Sequence, residues 1–187
     1  MLLPSILVMA LNFNFINSSP SKSDNCNALK NKKIKAIAFL TGSGTAKGNI
    51  TFSQENHKSP ISIQVSLIGL PPGGKHGFHV HEFGDISGGC ASTGGHYNPF
   101  NKTHGAPDAQ ERHVGDLGNV LADASGSVSV TLTDSQISLY GLYSVLGRGI
   151  VLHNGTDDLG LGGHNLSKTT GNAGARLACG VIGIAKI

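Results

Sequence analysis

Histidine is the unusual residue of this chain, with nine copies in 187 residues that contain no tryptophan. His79 and His81 flank Val80, and because side chains alternate along a β-strand, both imidazoles leave the same face. Five more candidate ligands follow along the chain: His96, His104, His113, Asp116 and His153. Imidazole suits zinc and copper, and a carboxylate oxygen completes many zinc sites. The residue types and spacing therefore predict a metal site.

Short alternating runs between turn signals must position these side chains. Apolar and polar residues in alternation predict half-buried strands. The runs cover residues 33–40, 48–54, 61–70, 78–83, 120–123, 127–132, 150–153 and 179–187. The segments 84–118 and 154–178 lack a strand pattern, and loops of that length are usually functional. Eight strands with glycine-rich connections predict an antiparallel sandwich or barrel with two long loops.

Composition excludes several other classes of protein. The chain has 27 glycines and only 13% charged residues, which suits a turn-rich sheet protein and excludes a coiled coil. Its 39% hydrophobic content also excludes a disordered chain. A net charge of +3 without a dense arginine patch argues against a nucleic-acid partner.

The N-terminal segment differs in composition from the rest of the chain. Residues 1–19 are mostly apolar and resemble a secretory signal peptide, with a membrane anchor or a wrongly assigned start as alternatives. We expect residues 20–33 to form a polar, basic linker and residues 34–187 to form the domain. A secreted, extracellular glycoprotein is expected, since five sequons are present, at Asn17, Asn49, Asn101, Asn154 and Asn165. At Asn154, a glycan would crowd His153, and we expect none there.

Lysines and cysteines add two further expectations. Lys30, Lys32, Lys33 and Lys35 form a basic cluster that could contact acidic polysaccharide or anionic lipid, with a solvated linker as the alternative. Three cysteines leave one unpaired if a disulfide forms. Cys26 is either free or joins two subunits.

Six motifs, taken together, resemble the copper/zinc superoxide dismutases, in particular their secreted type. They are GFHVHEFGD (77–85), GGHYNP (94–99), HGAPD (104–108), RHVGDLGN (112–119), DDLG (157–160) and GNAGARLACGVIGIA (171–185). The resemblance implies an eight-stranded antiparallel Greek-key barrel or sandwich. It also implies copper ligands at His79, His81, His96 and His153, and zinc ligands at His96, His104, His113 and Asp116.

The same resemblance implies an activity and the residues around the metals. Superoxide would be converted to oxygen and hydrogen peroxide by alternate reduction and oxidation of copper, with His96 bridging the metals and handling a proton. Asp157 would link a zinc-ligand histidine to a copper-ligand histidine, and Arg176 would hold the anion. A disulfide between Cys90 and Cys179 is also implied.

The resemblance further implies a homodimer, which a tetramer would extend. The expected contact positions are Phe83, Gly84, Leu146, Gly147 and Ile184. His76 is interpreted as structural, and His57 and His164 as surface residues. Two other functions remain open: a secreted metal-binding module without catalysis, and a dismutase-like copper chaperone, although the chain has no second cysteine pair for copper capture.

Overall fold

Nine β-strands run through the described part of the chain, which in this computed structural model comprises residues 31–42 and 44–187. They are β1 (Ile34–Leu40), β2 (Lys47–Gln54), β3 (Ile61–Ile68), β4 (Lys75–His81), β5 (Asp116–Leu121), β6 (Val128–Asp134), β7 (Gly149–His153), β8 (Arg176–Val181) and β9 (Gly183–Ala185). The described helices are a 3-10 helix (Gly89–Thr93) and α1 (Ser167–Thr170). Neither is long and apolar enough to cross a membrane.

Two antiparallel sheets pack around one apolar core. The larger sheet has the order β6-β3-β2-β1-β9, and the smaller has the order β5-β4-β7-β8. Along β3, buried and exposed residues alternate without exception, because each strand turns one face to the core. Phe52 of the larger sheet and Phe78 of the smaller are fully buried in that core. The predicted all-β antiparallel fold is confirmed as a sandwich, and the sheets do not close into a barrel.

The last predicted strand, residues 179–187, is two strands in the structure. Strand β8 ends the smaller sheet, whereas β9 pairs with β1 in the larger sheet. Between them Ile182 is fully buried, and its backbone N–H donates to the Arg148 carbonyl at 2.9 Å. Because the apolar pattern continues through this crossing, the sequence does not reveal the change of sheet. The described strand count is therefore nine rather than eight.

The two long loops lie at positions close to the predicted ones. The first long loop, residues 82–115, joins β4 to β5, and the second long loop, residues 154–175, joins β7 to β8. The predicted signal peptide, residues 20–30 of the predicted linker, and Cys26 and Lys30 lie outside the described residues. Those expectations stay predictions.

Candidate metal centre

Strand β4 presents its histidines as its alternation predicts. Phe78 and Val80 are part of the apolar core, while His79 and His81 face the two long loops. Both histidines are buried, at 0% and 1% exposure. A bridge between His81 and His96 attaches the first long loop to this strand. The strand thus carries the core on one face and the candidate ligands on the other.

Four buried histidines from two strands and a loop form the four-histidine cluster: His79, His81, His96 and His153. One ring nitrogen from each lies within 4.8 Å of the others. In each ring the other nitrogen lies 2.8 to 3.1 Å from an oxygen acceptor. Because that nitrogen donates a proton, the neutral ring keeps its lone pair on the nitrogen that faces the cluster. The outer contacts therefore leave each histidine with a ring nitrogen that could bind a metal.

Two ring nitrogens of this cluster have no hydrogen-bond partner although they are buried: Nδ1 of His79 and Nε2 of His96. Buried polar atoms normally have partners, so these two nitrogens are suited to bind a ligand. The Nε2 atoms of His81 and His153 lie 3.4 Å apart. An all-imidazole donor set of this kind fits copper, and the residues present are suitable for it.

Asp116 organises a second group, the histidine-aspartate cluster: His96, His104, His113 and Asp116. Its Oδ1 accepts from Nδ1 of His96 at 2.8 Å and from Nδ1 of His113 at 3.1 Å. Nδ1 of His104 lies 3.0 Å from Oδ2, without hydrogen-bond geometry. Three imidazoles and one carboxylate oxygen are a donor set that fits zinc. His96 belongs to both clusters, with a different nitrogen turned to each.

The two clusters have opposite protonation behaviour. Burial, followed by the charge of His96, lowers the pKa of His79 to about 3 and that of His81 to about 2. Burial also lowers the pKa of His104, but its interactions with the carboxylates of Asp116 and Asp157 outweigh burial and raise the value to about 9. For Asp116, burial raises the pKa, but contacts with the three histidines outweigh burial and bring the pKa well below its ordinary range. The metal-free protein therefore holds a proton in the histidine-aspartate cluster.

Asp157 connects the two clusters. Its Oδ2 accepts from Nε2 of His79 and its Oδ1 from Nε2 of His104, both at 2.8 Å. These bonds outweigh the effect of burial and lower the pKa of Asp157 to about 2. A side chain at Gly171 would place its Cβ 2.0 Å from Oδ1 of Asp157, so only glycine fits beside this carboxylate. The carboxylate can therefore fix the orientation of one histidine in each cluster.

Comparison with known protein families gives a match to this arrangement. The family model for copper/zinc superoxide dismutase matches residues 46–182. The chain belongs to the copper/zinc superoxide dismutase family. Both clusters lie within the matched residues, and the donor sets fit the two metals of the family name. The structure thus brings together every ligand expected from the sequence, while the role of each residue stays a prediction.

Two contacts hold the first long loop of this superoxide dismutase family member against β8. Cys90 and Cys179 form a disulfide, as the resemblance implies. The Arg176 guanidinium donates to the carbonyls of Cys90 and Gly94, each at 2.6 Å, and to Oγ1 of Thr93 at 3.0 Å. Gly94 also accepts from Nδ1 of His81 at 2.9 Å. Arg176 thus lies beside the four-histidine cluster and shares an acceptor with it.

A cavity of about 650 Å³ also borders Arg176. It is lined by residues of the first long loop, by the residues that follow β1 and by both cysteines of the disulfide, and none of the cluster histidines is among its lining residues. The cavity therefore borders the disulfide and Arg176 rather than the candidate metal ligands.

Two residues around the site were not predicted from the sequence. The Asn119 side chain makes two hydrogen bonds to the backbone of Asp157. It accepts from the Asp157 N–H at 2.8 Å and donates to the Asp157 carbonyl at 2.9 Å. Arg112, 1% exposed, pairs with Asp134 at 2.7 Å and donates to the carbonyl of His113 at 3.0 Å. They are the two end residues of the RHVGDLGN motif (112–119), but their partners Asp134 and Asp157 lie outside that motif. The burial of Arg112 and its contact with His113 can be recognised only in the folded structure.

The remaining histidines lie mostly where the sequence predicts. His76 is 1% exposed, and its Nδ1 donates to the His153 carbonyl at 2.9 Å, which agrees with a structural role. His57 and His164 are exposed on loops. Nδ1 of His164 accepts from the Leu166 N–H at 3.2 Å, so this ring caps a turn at the surface.

Proposed function

We propose that this protein dismutates superoxide, with copper in the four-histidine cluster and zinc in the histidine-aspartate cluster. The observation that carries the proposal is His96, because its Nδ1 donates to Asp116 while its Nε2 is buried without a partner beside three other histidines. If its Nδ1 proton is lost when zinc binds, this one ring can hold two metals at once. Membership of the copper/zinc superoxide dismutase family supports the same activity.

The reaction converts two superoxide ions and two protons into oxygen and hydrogen peroxide. Copper would supply the one-electron redox chemistry, and zinc a charge that does not change during turnover. Nε2 of His96 is the atom of this chain that can hold a proton when it is not a ligand. Asp157 keeps the rings of His79 and His104 in place, so that neither nitrogen turns away.

Arg176 would attract and position the anion. Its guanidinium is half-buried and fixed to the first long loop, and its charge contributes to the lowered pKa values of His81 and His153. A positive field focused in this way can raise the arrival rate of a small anion by about 10- to 1,000-fold. Lys168, exposed in α1, would add a weaker contribution because it is more freely screened.

Metal analysis and superoxide consumption test this proposal together. The purified protein, reconstituted with both metals, should hold one copper and one zinc per chain and consume superoxide. Full metal content without superoxide consumption would favour the alternative of an inactive metal-binding module. Copper transfer to an acceptor protein, also without consumption, would favour a chaperone instead.

Charge substitutions test the role of Arg176. We expect Arg176→Glu to reduce the second-order rate by about 10-fold or more, and Lys168→Glu to reduce it much less. Arg176→Lys is the matched control, because it keeps the charge but loses the fork that binds the loop. The rate of the unchanged protein should fall as salt rises. A salt-independent rate at full metal content would contradict guidance by charge.

We also propose that the protein is secreted and acts outside the cell as a homodimer. The predicted signal peptide and the sequons support secretion, and a disulfide is typical of oxidising compartments. Phe83 is 51% and Ile184 is 78% exposed, which supports an apolar contact between subunits. Secretion can be followed with the native N-terminus in eukaryotic cells. Ultracentrifugation at micromolar concentration should give a dimer, and a monomer would contradict it.

Contact of the N-terminal lysine cluster with acidic polysaccharide stays a prediction. Nζ of Lys33 lies 2.5 Å from Oε1 of Glu55, so part of its charge is already neutralised. Lys32 is exposed and Lys35 is half-buried. Retention on a heparin column at low salt, compared with Lys32→Ala, would measure what remains of the interaction.

A further inference from the structure

An exposed apolar patch lies on the first long loop and on the segment between β6 and β7. Its members are Phe100, Leu142 and Tyr143, which are 54%, 86% and 47% exposed. The rings of Phe100 and Tyr143 form an edge contact with centroids 4.9 Å apart. Two exposed aromatic rings and a leucine in contact with water are unfavourable unless something covers them.

Asn101 lies at the border of this patch and follows Phe100 directly in the chain. It lines the same cavity as Leu142 and Tyr143, a space of about 600 Å³. Asn101 is exposed and has a positive φ of 52°, a conformation that asparagine accepts better than most residues. The described hydrogen bonds leave its side-chain amide unused. This amide is therefore presented outward beside the two rings.

Hydrogen bonds of Asn98 and Lys102 fix the loop that carries Asn101. The Asn98 side chain donates to the Lys102 carbonyl at 2.8 Å and accepts from the Lys102 N–H at 3.0 Å. Nζ of Lys102 donates to the Gln110 carbonyl at 2.5 Å. Asn101 thus lies at the tip of a turn whose backbone is fixed by hydrogen bonds. A bulky group attached to its side chain would leave the packing of the rest of the domain unchanged.

Asn101, Lys102 and Thr103 form an N-glycosylation sequon. We propose that Asn101 carries an N-linked glycan whose sugars cover the Phe100, Leu142 and Tyr143 patch. The proposal rests on the secretion proposed above, because the glycan is added in the secretory route. A glycan is bulky, solubilising and suited to a surface loop, and the patch supplies the apolar surface on which its sugars would lie.

The other sequons within the described residues are less suitable. Asn49 is half-buried in β2, which is hydrogen-bonded to β1 on one side and to β3 on the other. A glycan at Asn49 would therefore have to lie over the neighbouring strands of the sheet. Asn154 follows His153 of the four-histidine cluster, and its N–H donates to the Ala175 carbonyl at 2.7 Å. Ser167, which completes the Asn165 sequon, is 2% exposed and bonded to Asp158. Asn101 combines an exposed side chain, a surface turn and an adjacent patch with two aromatic rings.

Glycopeptide mapping tests occupancy. The full chain should be secreted from eukaryotic cells behind a strong added signal peptide, so that the native N-terminus does not decide the result. Removal of the glycan by an N-glycosidase in heavy-oxygen water should convert Asn101 to labelled Asp. Thr103→Ala should abolish the label, and Thr103→Ser, the matched control, should keep it. An unlabelled Asn101 in the secreted protein overturns the proposal, whether or not superoxide consumption is intact.

Dye binding tests coverage of the patch. We expect Asn101→Gln to bind a hydrophobic fluorescent dye at least about two-fold more strongly than the glycosylated protein. Adding Phe100→Ser and Tyr143→Ser to Asn101→Gln should return the signal to its original level. Equal dye binding with and without the glycan would overturn the covering role.

Discussion

The four-histidine cluster and the histidine-aspartate cluster share the ring of His96, but different contacts hold their residues in position. In the four-histidine cluster, neutral imidazoles face one another, and their outer nitrogens are fixed by Asp157, Asp116 and the carbonyls of Gly94 and Gly174. In the histidine-aspartate cluster, a carboxylate sits among the ligands themselves and contacts three rings. The groups that orient the histidines of the first cluster therefore lie around it, whereas Asp116, which orients the histidines of the second, is itself a member of that cluster.

This difference determines what each cluster needs before it can bind a metal. The neutral histidines of the first cluster already present lone pairs, because their pKa values are far below neutrality. In the second cluster the raised pKa of His104 favours its protonated form at neutral pH, and binding of zinc there would have to displace that proton. Copper uptake should thus depend less on pH than zinc uptake does near neutrality.

His96→Ala should have the largest effect, because it removes the only residue common to both clusters. We expect loss of superoxide consumption and weaker binding of both metals. The two sites should also become independent, so that zinc no longer changes copper affinity. Competition with chelators, with and without the other metal, measures this. Unchanged affinities and activity would show that His96 does not bridge the clusters.

Asp116→Ala should affect mainly the histidine-aspartate cluster. Loss of the carboxylate removes a zinc ligand and leaves protonated His104 with Asp157 alone, and breaking a buried ion pair costs about 3 to 5 kcal/mol. We expect zinc affinity and the unfolding free energy of the metal-free protein to fall. Copper affinity should change much less. A larger loss of copper than of zinc would contradict the separation of the two clusters.

Asp157→Asn should weaken both clusters to a smaller degree. A neighbour of this kind typically changes metal affinity by about 10- to 100-fold. Asp158→Asn is a matched control, because Asp158 accepts from Ser167 and Gly160 rather than from a histidine. Titration of each metal into the two variants gives the comparison. Equal effects of both substitutions would show that Asp157 does not link the clusters.

The smallest effect should be the pH dependence of the metal-free fold. His79, His81 and His153 resist protonation in the folded state, with pKa values lowered to about 3, 2 and 4, whereas the unfolded chain binds protons below about 6.5. Stability should therefore fall as the pH drops below 6.5.

His104 behaves in the opposite way. Its folded pKa of about 9 exceeds 6.5, so its contribution is complete below 6.5 and is lost as the pH rises through 9. Urea unfolding of metal-free protein should give maximal stability near neutral pH, and Asp116→Ala should flatten the alkaline decline. Stability that keeps rising above pH 8 would contradict the protonated cluster.

The sequence predicts the strands well because alternation is local. The His79 and His81 pair follows from the two-residue period of β4 alone, and β3 shows the same period in its burial. The crossing at Ile182 was missed, since a buried residue between sheets continues the pattern of the strand before it. The extra strand is a tertiary feature and leaves no local mark.

The ligand set could be predicted only with the help of the family motifs. Histidine type and spacing indicate a metal site, but residue spacing does not show that His96 and Asp116 meet at 2.8 Å. The supporting residues Asn119 and Arg112 were missed because their partners, Asp157 and Asp134, lie 38 and 22 residues away. Contacts of this kind depend on the packed fold rather than on any motif.

The attachment of the first long loop to β8 has a consequence for biosynthesis. Arg176 and Cys179 follow every cluster residue in the chain, so the ribosome produces them after all the ligands. Until they emerge, the loop segment with Cys90 and Gly94 lacks both its cross-link and its guanidinium clamp. The contacts that attach the first long loop to β8 can therefore form only after residues 176–179 have been synthesised, later than all the cluster residues.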